Sequence, residues 1–428
     1  MVCPMTPAKL RRQAKVVSAI VVISLAICLD YRSSPGYAAD TLLPLLSKGH
    51  PVDWWFVFKF NRASFPGCSV EQERTCLFGG QMQTRYERAF SQQFVYASSE
   101  EPTLIKGDVC LGSTTADPVG ATFDEVYNGH SYYAIWNDQF YNDPKIPGCG
   151  ESCGRFTGHS KGMVAWNENG DGILLQVTTP SWPASGSKEH PRLTQGNTLG
   201  CVKTNNVKFS QHFFGLRLTK PDLVKVLMAI QNASVVTMPD NPQLVANGGP
   251  GDVQELVDHL GRKSDSTTPT KEILSSGVIV ISKPARLNVP PWQMVSAMLD
   301  RISLRTATWW SRHKIPTTTL SDTPGCWRDD LGKPGEVEIA ESGHWGEQQF
   351  SLRGGANHAK IGVSTSPDRF YSVFGDMNQE GALDANANCL TSQNARGGLF
   401  FVIEDKNLAA GLQILIQGKT AKSDGSPG

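Results

Sequence analysis

The stretch GHSKGMVAW, residues 158–166, joins a His-x-Lys motif, His159 and Lys161, to an apolar run that is typical of a buried β-strand. A loop rich in Asn, Asp and Gly follows at residues 167–172, and a second apolar run follows the loop. This order predicts a β-hairpin with the motif at its entrance. The loop resembles the start of a calcium-binding loop, but Thr178 stands where the closing Glu is required, so we exclude calcium there.

A second His-x-Lys motif, His358 and Lys360, precedes another strand-like run at residues 361–364. Residues two apart in a strand point to the same side, so each motif can aim an imidazole and an ammonium group at one point. One such motif alone is explained as well by an exposed His near a solvated Lys. Two of them suit a phosphodiester, because an imidazole can attack phosphorus or protonate the leaving oxygen while a lysine stabilises the phosphoryl charge.

Strands and helices alternate loosely around both motifs, in an order that repeats. A dense aromatic run at residues 52–60 predicts a buried strand, and Lys220 begins a helix with Pro221 in its first turn. A segment rich in Pro, Gly, Asn and Ser then predicts a connector. Beyond it we expect strands near residues 277–282, 361–364, 370–374 and 398–403, and helices near residues 291–302 and 408–416. The predicted organisation is a signal peptide at 1–38, a first half at 39–237, a connector at 238–272 and a second half at 273–428.

The first 38 residues are interpreted as a cleaved secretory signal. Basic residues precede the apolar run 16–29, and small residues follow at the expected cleavage site. The alternative is a retained N-terminal anchor, for which the apolar run is shorter than a full membrane span. We therefore expect an exported protein, secreted or periplasmic, without membrane attachment after cleavage.

Eight of the ten cysteines lie outside the signal, an even number that suggests disulfides in an exported protein. Cys149 and Cys153 have a spacing that could mimic a metal-binding loop. Because no second close pair of Cys or His accompanies them, we predict a small disulfide-closed loop.

The charge composition neither supports nor excludes a nucleic-acid substrate. Basic and acidic residues number 40 each, and removal of the signal, which holds five basic residues and one acidic residue, leaves a slight negative charge. A nucleic-acid enzyme of this composition needs a locally basic cleft or an acidic working pH. We find no HExxH motif, no paired Cys/His ligands and no dense carboxylate cluster, so we expect no metal and no other cofactor.

Short segments spread over the chain resemble the deoxyribonuclease II family of acid endonucleases, within the phospholipase D-like phosphodiesterase superfamily. These segments are HPVDW at 50–54, WNDQ at 136–139, GHSKG at 158–162, QGNTLGC at 195–201, NHAK at 357–360, GDMN at 375–378 and RGG at 396–398. Each segment is short, but their order and spacing together are specific.

The resemblance implies an α/β (α+β) fold with two phospholipase D-like halves, each a mixed β-sheet flanked by helices, that form a pseudo-dimer. It implies metal-independent DNA cleavage to 3′-phosphate and 5′-hydroxyl ends through a phosphohistidine. By motif matching, the catalytic residues are His159, Lys161, His358 and Lys360. Asn378 is implied to contact the phosphate or a lysine.

The chain departs from the family pattern around the second motif. It has Asn-His-Ala-Lys where animal members typically show Asp-His-Ser-Lys, and a Cys pair that flanks the motif in those members is absent. In the first half, Ser181 is interpreted as the counterpart of Asn378 and as a second substrate-binding residue. The resemblance also implies a disulfide between Cys326 and Cys389.

Two other functions remain open from the sequence. The same chemistry could serve a phospholipid or another phosphodiester, and a decayed site would leave a nucleic-acid-binding protein. DNA is the expected partner, and a homodimer could extend the DNA clamp. Among the other candidates, Asp138 is interpreted as structural, and Trp182, Trp309, Trp310 and Trp345 are interpreted as exposed residues that could stack on bases.

Overall fold

The polypeptide folds into two large β-sheets with five α-helices, counted over the residues that the computed structural model describes. These residues are 41–68, 78–79, 91–112, 114–193, 197, 208–311 and 313–422. The predicted signal peptide, and most of the segment 195–201 that carries part of the family resemblance, lie outside them.

The elements are numbered in chain order. The helices are α1 (Pro118–Tyr127), α2 (Lys220–Asn232), α3 (Gly251–Asp258), α4 (Pro291–Met298) and α5 (Lys406–Leu415). The earlier strands are β1 (Leu45–Ser47), β2 (His50–Pro51), β3 (Trp54–Lys59), β4 (Phe94–Ser98), β5 (Ile105–Lys106), β6 (Tyr132–Asn137), β7 (Lys161–Trp166), β8 (Gly172–Val177), β9 (Gln211–Leu218) and β10 (Val245–Ala246). The later strands are β11 (Thr270–Ile273), β12 (Ile279–Lys283), β13 (Leu304–Ala307), β14 (Val337–Ile339), β15 (Ser342–Trp345), β16 (Gln348–Ser351), β17 (Ile361–Ser364), β18 (Tyr371–Gly375) and β19 (Gly398–Glu404).

The first sheet contains eight strands in the order β10-β6-β7-β8-β9-β3-β4-β5, and its described pairings are antiparallel. The predicted hairpin is confirmed as β7 and β8, with Trp166 opposite Gly172 at the turn. The predicted aromatic strand is confirmed as β3, and Trp55, Phe56 and Phe58 are fully buried. These aromatic side chains therefore belong to the core, as their apolar character favours.

The second sheet contains seven strands in the order β11-β12-β19-β18-β17-β13-β14. Its described pairings are antiparallel except for β13 and β14, which run parallel with Leu304 opposite Val337. The strands expected near residues 277–282, 361–364, 370–374 and 398–403 are confirmed as β12, β17, β18 and β19.

The two sheets face each other across a shared apolar core. The ring of Phe374 in β18 stacks on that of Phe56 in β3 at 4.5 Å between centroids, and it lies 4.9 Å from the ring of Phe214 in β9. Phe401 in β19 contacts Phe214 at 5.7 Å. Residues Leu42–Gly428 accordingly belong to one compact unit. This contact brings the central strands of both sheets, and the motifs at their ends, close together.

Local sequence signals explain where helix α2 begins. Thr219 and Asp222 form a reciprocal capping box, and Pro221 lies in the first turn, where its missing N–H leaves no hydrogen bond unmade. Helix α4 begins as expected at Pro291 but ends at Met298, earlier than the predicted residue 302. Asp300 and Arg301 adopt positive φ angles of 60° and 62°, which right-handed helical backbone does not allow.

The predicted connector is partly built into the fold. Val245 and Ala246 form β10 at the edge of the first sheet, opposite Ala134 and Tyr133. Helix α3 packs against α2 and buries Val253 and Val257. This segment is therefore packed against the first sheet and its helix over much of its length.

Disulfides join Cys68 to Cys110, Cys149 to Cys153, and Cys326 to Cys389 among the described residues. The second is the small loop expected from the sequence, and the third is the pair implied by the family resemblance. Three disulfides indicate folding in an oxidising compartment. In the part of the chain that the structure describes, no helix combines the length and apolar character needed to cross a membrane.

Candidate active site

The two His-x-Lys motifs occupy equivalent places in the two sheets. Lys161 begins β7 opposite Asn137, the last residue of β6. Lys360 directly precedes β17, whose first residue, Ile361, lies opposite the end of β13. The expected position of each motif at the entrance of a strand is confirmed.

Both motifs open onto one cavity of about 120 Å³. Its lining comprises His159, Lys161, His358, Lys360, Asn378, Gln139, Thr178, Pro180 and Trp309. The structure therefore brings together the four residues assigned to catalysis and one of the two assigned to substrate binding. Pockets that enclose a drug-sized ligand have volumes of roughly 300 Å³ or more, so this cavity suits a small group such as a phosphoryl group.

A buried carboxylate organises the first motif. The Oδ2 atom of Asp138 lies 3.0 Å from Nδ1 of His159, and its Oδ1 atom accepts a hydrogen bond from Nζ of Lys161 at 2.5 Å. Arg396 donates from Nη2 to Oδ2 of Asp138 at 2.8 Å and also to the carbonyl of Gly158 at 2.7 Å. We call His159, Lys161, Asp138 and Arg396 the charged half-site.

Charge compensation determines the ionisation of this half-site. Burial alone would raise the pKa of Asp138, but the positive charges of Lys161 and Arg396 and the hydrogen bond from His159 hold that pKa well below its usual range. Asp138 is therefore ionised. Burial and the neighbouring Lys161 outweigh the attraction of Asp138 and lower the pKa of His159 to about 3. The imidazole of His159 is consequently neutral in the absence of substrate. Its Nδ1 atom faces the carboxylate of Asp138, and Nε2 is the second ring nitrogen.

Aromatic rings surround the second motif. The ring of Phe209 lies 4.5 Å from that of His358, and the ring of Trp309 meets it edge-on at 6.3 Å. Lys360 donates from Nζ to the carbonyl of His358 at 2.5 Å. No ring nitrogen of His358 has a hydrogen-bond partner among the described residues. We call His358, Lys360, Phe209 and Trp309 the aromatic half-site.

Burial controls ionisation at the aromatic half-site. It lowers the pKa of His358 well below the usual value, and the charges of Lys360 and Lys161 lower it further. Burial likewise lowers the pKa of Lys360 to about 7, with Lys161 adding to the shift. Lys360 therefore gains its charge when the pH falls through about 7.

Backbone hydrogen bonds cross between the two sheets beside each motif. The N–H of His159 donates to the carbonyl of Gly397 at 2.7 Å, and the N–H of His358 donates to the carbonyl of Ser210 at 2.8 Å. A Cβ on Gly397 would lie 2.0 Å from the carbonyl oxygen of Ala233, so no larger residue fits at this crossing. Each His is thereby held by a hydrogen bond to the residue that directly precedes a strand of the other sheet, β19 for His159 and β9 for His358.

The two residues assigned to substrate binding have different surroundings. Asn378 lines the cavity, donates from Nδ2 to Glu380 at 3.3 Å, and has a buried Oδ1 atom without a partner among the described residues. Ser181 does not line the cavity. It is fully buried, and its hydroxyl accepts a hydrogen bond at 2.5 Å from Nη2 of Arg192. Extension of the strand registers makes Pro180, rather than Ser181, the counterpart of Asn378.

Two buried titratable residues beside the site were missed in the sequence. His212 accepts at Nδ1 from the backbone N–H of Lys360 at 3.1 Å, and burial keeps its pKa well below normal. Asp376 accepts from Gln176 at 3.1 Å and from the N–H of Leu399 at 2.9 Å, and burial raises its pKa to about 7. The GDMN segment contained Asp376, but no sequence signal indicated His212.

The interpretation of Asp138 as purely structural is incomplete, because the residue contacts both members of the first motif. Its presence in the WNDQ segment was the signal that could have revealed it. Among the aromatic candidates, Trp182 is buried at 2% exposure and is not an exposed stacking residue. Trp309 is half-buried and lines the cavity.

A larger groove of about 910 Å³ adjoins the charged half-site at Thr157. Exposed Arg155, Arg262 and Lys263 line it, as does the Cys149–Cys153 loop. Across the described portion of the chain, no group of three or more His, Cys, Asp or Glu side chains has an arrangement suited to a metal ion.

Comparison with known proteins gives a family match over most of the chain. The model of the family described as Deoxyribonuclease II matches residues 44–420. Among solved structures, yeast tyrosyl-DNA phosphodiesterase gives a match with 8% identity and a TM-score of 0.30 over 70% of this chain and 88% of that one. A mutant of the yeast enzyme gives the same identity and TM-score over 67% and 87%. No curated protein matches the sequence.

Proposed function

Since this chain belongs to the deoxyribonuclease II family and is a phosphodiester hydrolase, we propose that it is an endonuclease that cuts DNA without a metal ion. It works best at acidic pH and leaves 3′-phosphate and 5′-hydroxyl ends through a phosphohistidine. The observation that carries the proposal is the meeting of His159, Lys161, His358 and Lys360 around one small cavity.

The two lysines do the electrostatic work that a metal ion does in many nucleases. A phosphoryl group in the cavity lies between Lys161 and Lys360, whose ammonium groups stabilise the negative charge that builds on its non-bridging oxygens. Both lysines are nearly inaccessible to water, with 3% and 4% exposure, so their charges act in a low dielectric. Asn378 accepts a hydrogen bond at Oδ1 from a lysine or from the attacking water.

The two imidazoles supply the covalent and proton-transfer steps. One attacks phosphorus as a neutral base, and the other protonates the leaving oxygen and later activates water. Both rings are neutral before substrate binds, since both pKa values are lowered. The negative charge of a bound phosphodiester favours protonation of one ring, and acidic solution supplies the proton.

DNA as substrate is supported by the family and by exposed basic residues beside the site. Arg155, Arg262 and Lys263 lie in the large groove next to the charged half-site, where they suit the phosphates that flank the scissile bond. Half-buried Trp309 at the cavity offers a face on which a base can stack.

The predicted organisation fits this proposal. The first half, residues 39–237, and the second half, residues 273–428, form a pseudo-dimer whose motifs meet at one site. The equivalent strand registers at Lys161 and Lys360 support this relation. Export through the predicted signal peptide, to the periplasm or the medium, agrees with the three disulfides.

Supercoiled plasmid tests the proposed activity. The protein is incubated with plasmid in EDTA at a series of pH values, and the ends of the products are labelled. We expect nicked and linear DNA, fastest at acidic pH, with ends that accept a 5′-phosphate from a kinase without prior phosphatase treatment. Cleavage that requires added Mg²⁺, or hydrolysis of phospholipid vesicles with DNA left intact, would contradict the proposal.

A further inference from the structure

Strand register shows which residues of the two half-sites are equivalent. In the first sheet, Asn137 lies opposite Lys161, so Asp138 is the next residue beyond the pair. In the second sheet, Ala307 lies opposite Ile361, and one step along the same register Thr308 lies opposite Lys360. The next residue beyond that pair is Trp309. Trp309 therefore stands at the position that Asp138 occupies in the charged half-site.

The crossings between the sheets reveal a second equivalent pair. Gly158 bridges Gly397 and Asn357 bridges Ser210, both in parallel orientation. The residue before Gly397 is Arg396, which donates a hydrogen bond to Asp138, and the residue before Ser210 is Phe209, whose ring contacts that of His358. The ion pair of Asp138 and Arg396 at one histidine is thus replaced, position by position, by two aromatic rings at the other.

This replacement separates the chemical tasks that the two histidines can perform. A carboxylate at Nδ1 stabilises an imidazolium, which a proton donor must become. Aromatic rings offer no such partner and favour the neutral imidazole, whose free electron pair a nucleophile needs. Lys360, Lys161 and Lys59 place positive charge near His358, which also opposes its protonation.

Resting on the proposed function, we infer that His358 is the nucleophile and His159 the proton donor, with Asp138 and Arg396 as its positioning residues. With the phosphodiester bound, acidic solution first protonates Nε2 of His159 to give the imidazolium. In the first step, the electron pair of a His358 ring nitrogen forms the P–N bond, the P–O5′ bond breaks, and Nε2 of His159 gives that proton to O5′. In the second step, His159 removes a proton from water, the oxygen bonds to phosphorus, and the P–N electron pair returns to His358. The products are a 5′-hydroxyl and a 3′-phosphate.

An oligonucleotide with a bridging 5′-sulfur at the scissile bond separates the two roles. A thiolate leaves without needing a proton, so the proton donor is dispensable in the first step. We expect His159→Ala to release about one equivalent of thiol per enzyme and to stop there, because no base activates water. Peptide mapping should place the 3′-phosphoryl adduct on His358. His358→Ala should release no thiol above background. His130→Ala, at an exposed residue away from the cavity, should behave as wild type.

The variant Asp138→Asn tests the positioning residues with side-chain shape preserved. We expect its cleavage of ordinary DNA to fall by about 10²–10⁴-fold, while thiol release from the sulfur-bridged DNA changes by less than about 3-fold. Equal losses on both substrates would reduce Asp138 to a structural role and contradict the inference. Arg396→Gln should show the same substrate difference to a smaller extent.

The other results of these experiments also test the roles assigned to the two histidines. Thiol release by His358→Ala, with the adduct on His159, would reverse the assignment. Ordinary DNA cleavage by wild type, with no adduct in any variant or no cleavage of the sulfur-bridged strand, would overturn the assignment and leave the nuclease activity standing. If wild type cuts neither DNA in EDTA, the proposed function itself fails.

Discussion

At the charged half-site, His159 contacts a carboxylate that also binds a lysine and an arginine, whereas His358 at the aromatic half-site contacts two rings. The backbone around the two histidines is nevertheless equivalent: each donates its N–H across to the other sheet and lies two residues before a lysine at a strand entrance. The comparison teaches that a repeated backbone can supply two identical motifs while the side chains around them make the motifs chemically different.

Replacement of the two lysines should produce the largest difference in DNA cleavage between the half-sites. Lys161→Met removes a phosphate contact and also leaves buried Asp138 with less positive charge, so we expect DNA cleavage to fall by about 10³-fold. Lys360→Met removes the phosphate contact and a hydrogen bond to the carbonyl of His358, and should cost about 10²-fold. Steady-state kinetics would compare them, with exposed Lys145→Met as the control. Equal losses would mean that Asp138 does not depend on Lys161.

The pH dependence of DNA cleavage should reflect the ionisation of Lys360 in the aromatic half-site. Its pKa of about 7 means that the ammonium form, which binds phosphate, is present below pH 7 and is lost above it. We therefore expect kcat/KM to fall by up to about ten-fold per pH unit above 7. Lys360→Arg keeps its charge, so its profile should lack the part of this fall that comes from Lys360 and retain the part that comes from protonation of the proton-donating histidine. Because Asp376 also has a pKa of about 7, Asp376→Asn should be measured alongside. A wild-type rate at pH 8 equal to that at pH 6 would count against this role.

Removal of an aromatic ring should have a smaller effect. Trp309→Ala exposes His358 to water and removes a possible stacking face, so we expect about a ten-fold loss, mainly in KM for DNA. Trp309→Phe, which keeps a ring, should recover most of it. A loss in kcat alone, with KM unchanged, would show that Trp309 does not bind substrate.

The smallest effect on activity is expected at Ser181. Its hydroxyl is bound to Arg192 away from the cavity, so Ser181→Ala should leave kcat and KM within about two-fold of wild type. Loss of this one hydrogen bond to the buried guanidinium of Arg192 should lower the free energy of unfolding by about 1–3 kcal/mol. Urea unfolding measures this loss. A strong increase in KM would restore Ser181 to the substrate-binding set.

Much of the fold was predictable because local patterns determined it. Strand β3 was visible as an unbroken aromatic run and helix α2 as a capped apolar repeat, since both depend on residues close in sequence. Strands β6 and β13 and helix α1 were not identified. The packing of Val245 and Ala246 onto the first sheet depends on a distant strand, which no local pattern specifies.

The candidate site was likewise predictable only in part. His159, Lys161, His358 and Lys360 could be proposed from the sequence because each His lies two positions before its Lys and the motif occurs twice. The contacts that distinguish the pairs join residues far apart, such as Arg396 to Asp138 and Phe209 to His358, and only the folded chain reveals them. Ser181 was misplaced as a counterpart of Asn378 because the sequence does not give the strand register, which instead aligns Pro180.

The central claim is that both half-sites act on one phosphodiester. Its most direct test is the rate of plasmid nicking in EDTA at acidic pH by His159→Ala and by His358→Ala, with His130→Ala as the control. We predict that each of the first two variants loses at least about 10³-fold of the wild-type rate and that the control loses none. Wild-type nicking by either variant would contradict a single composite site.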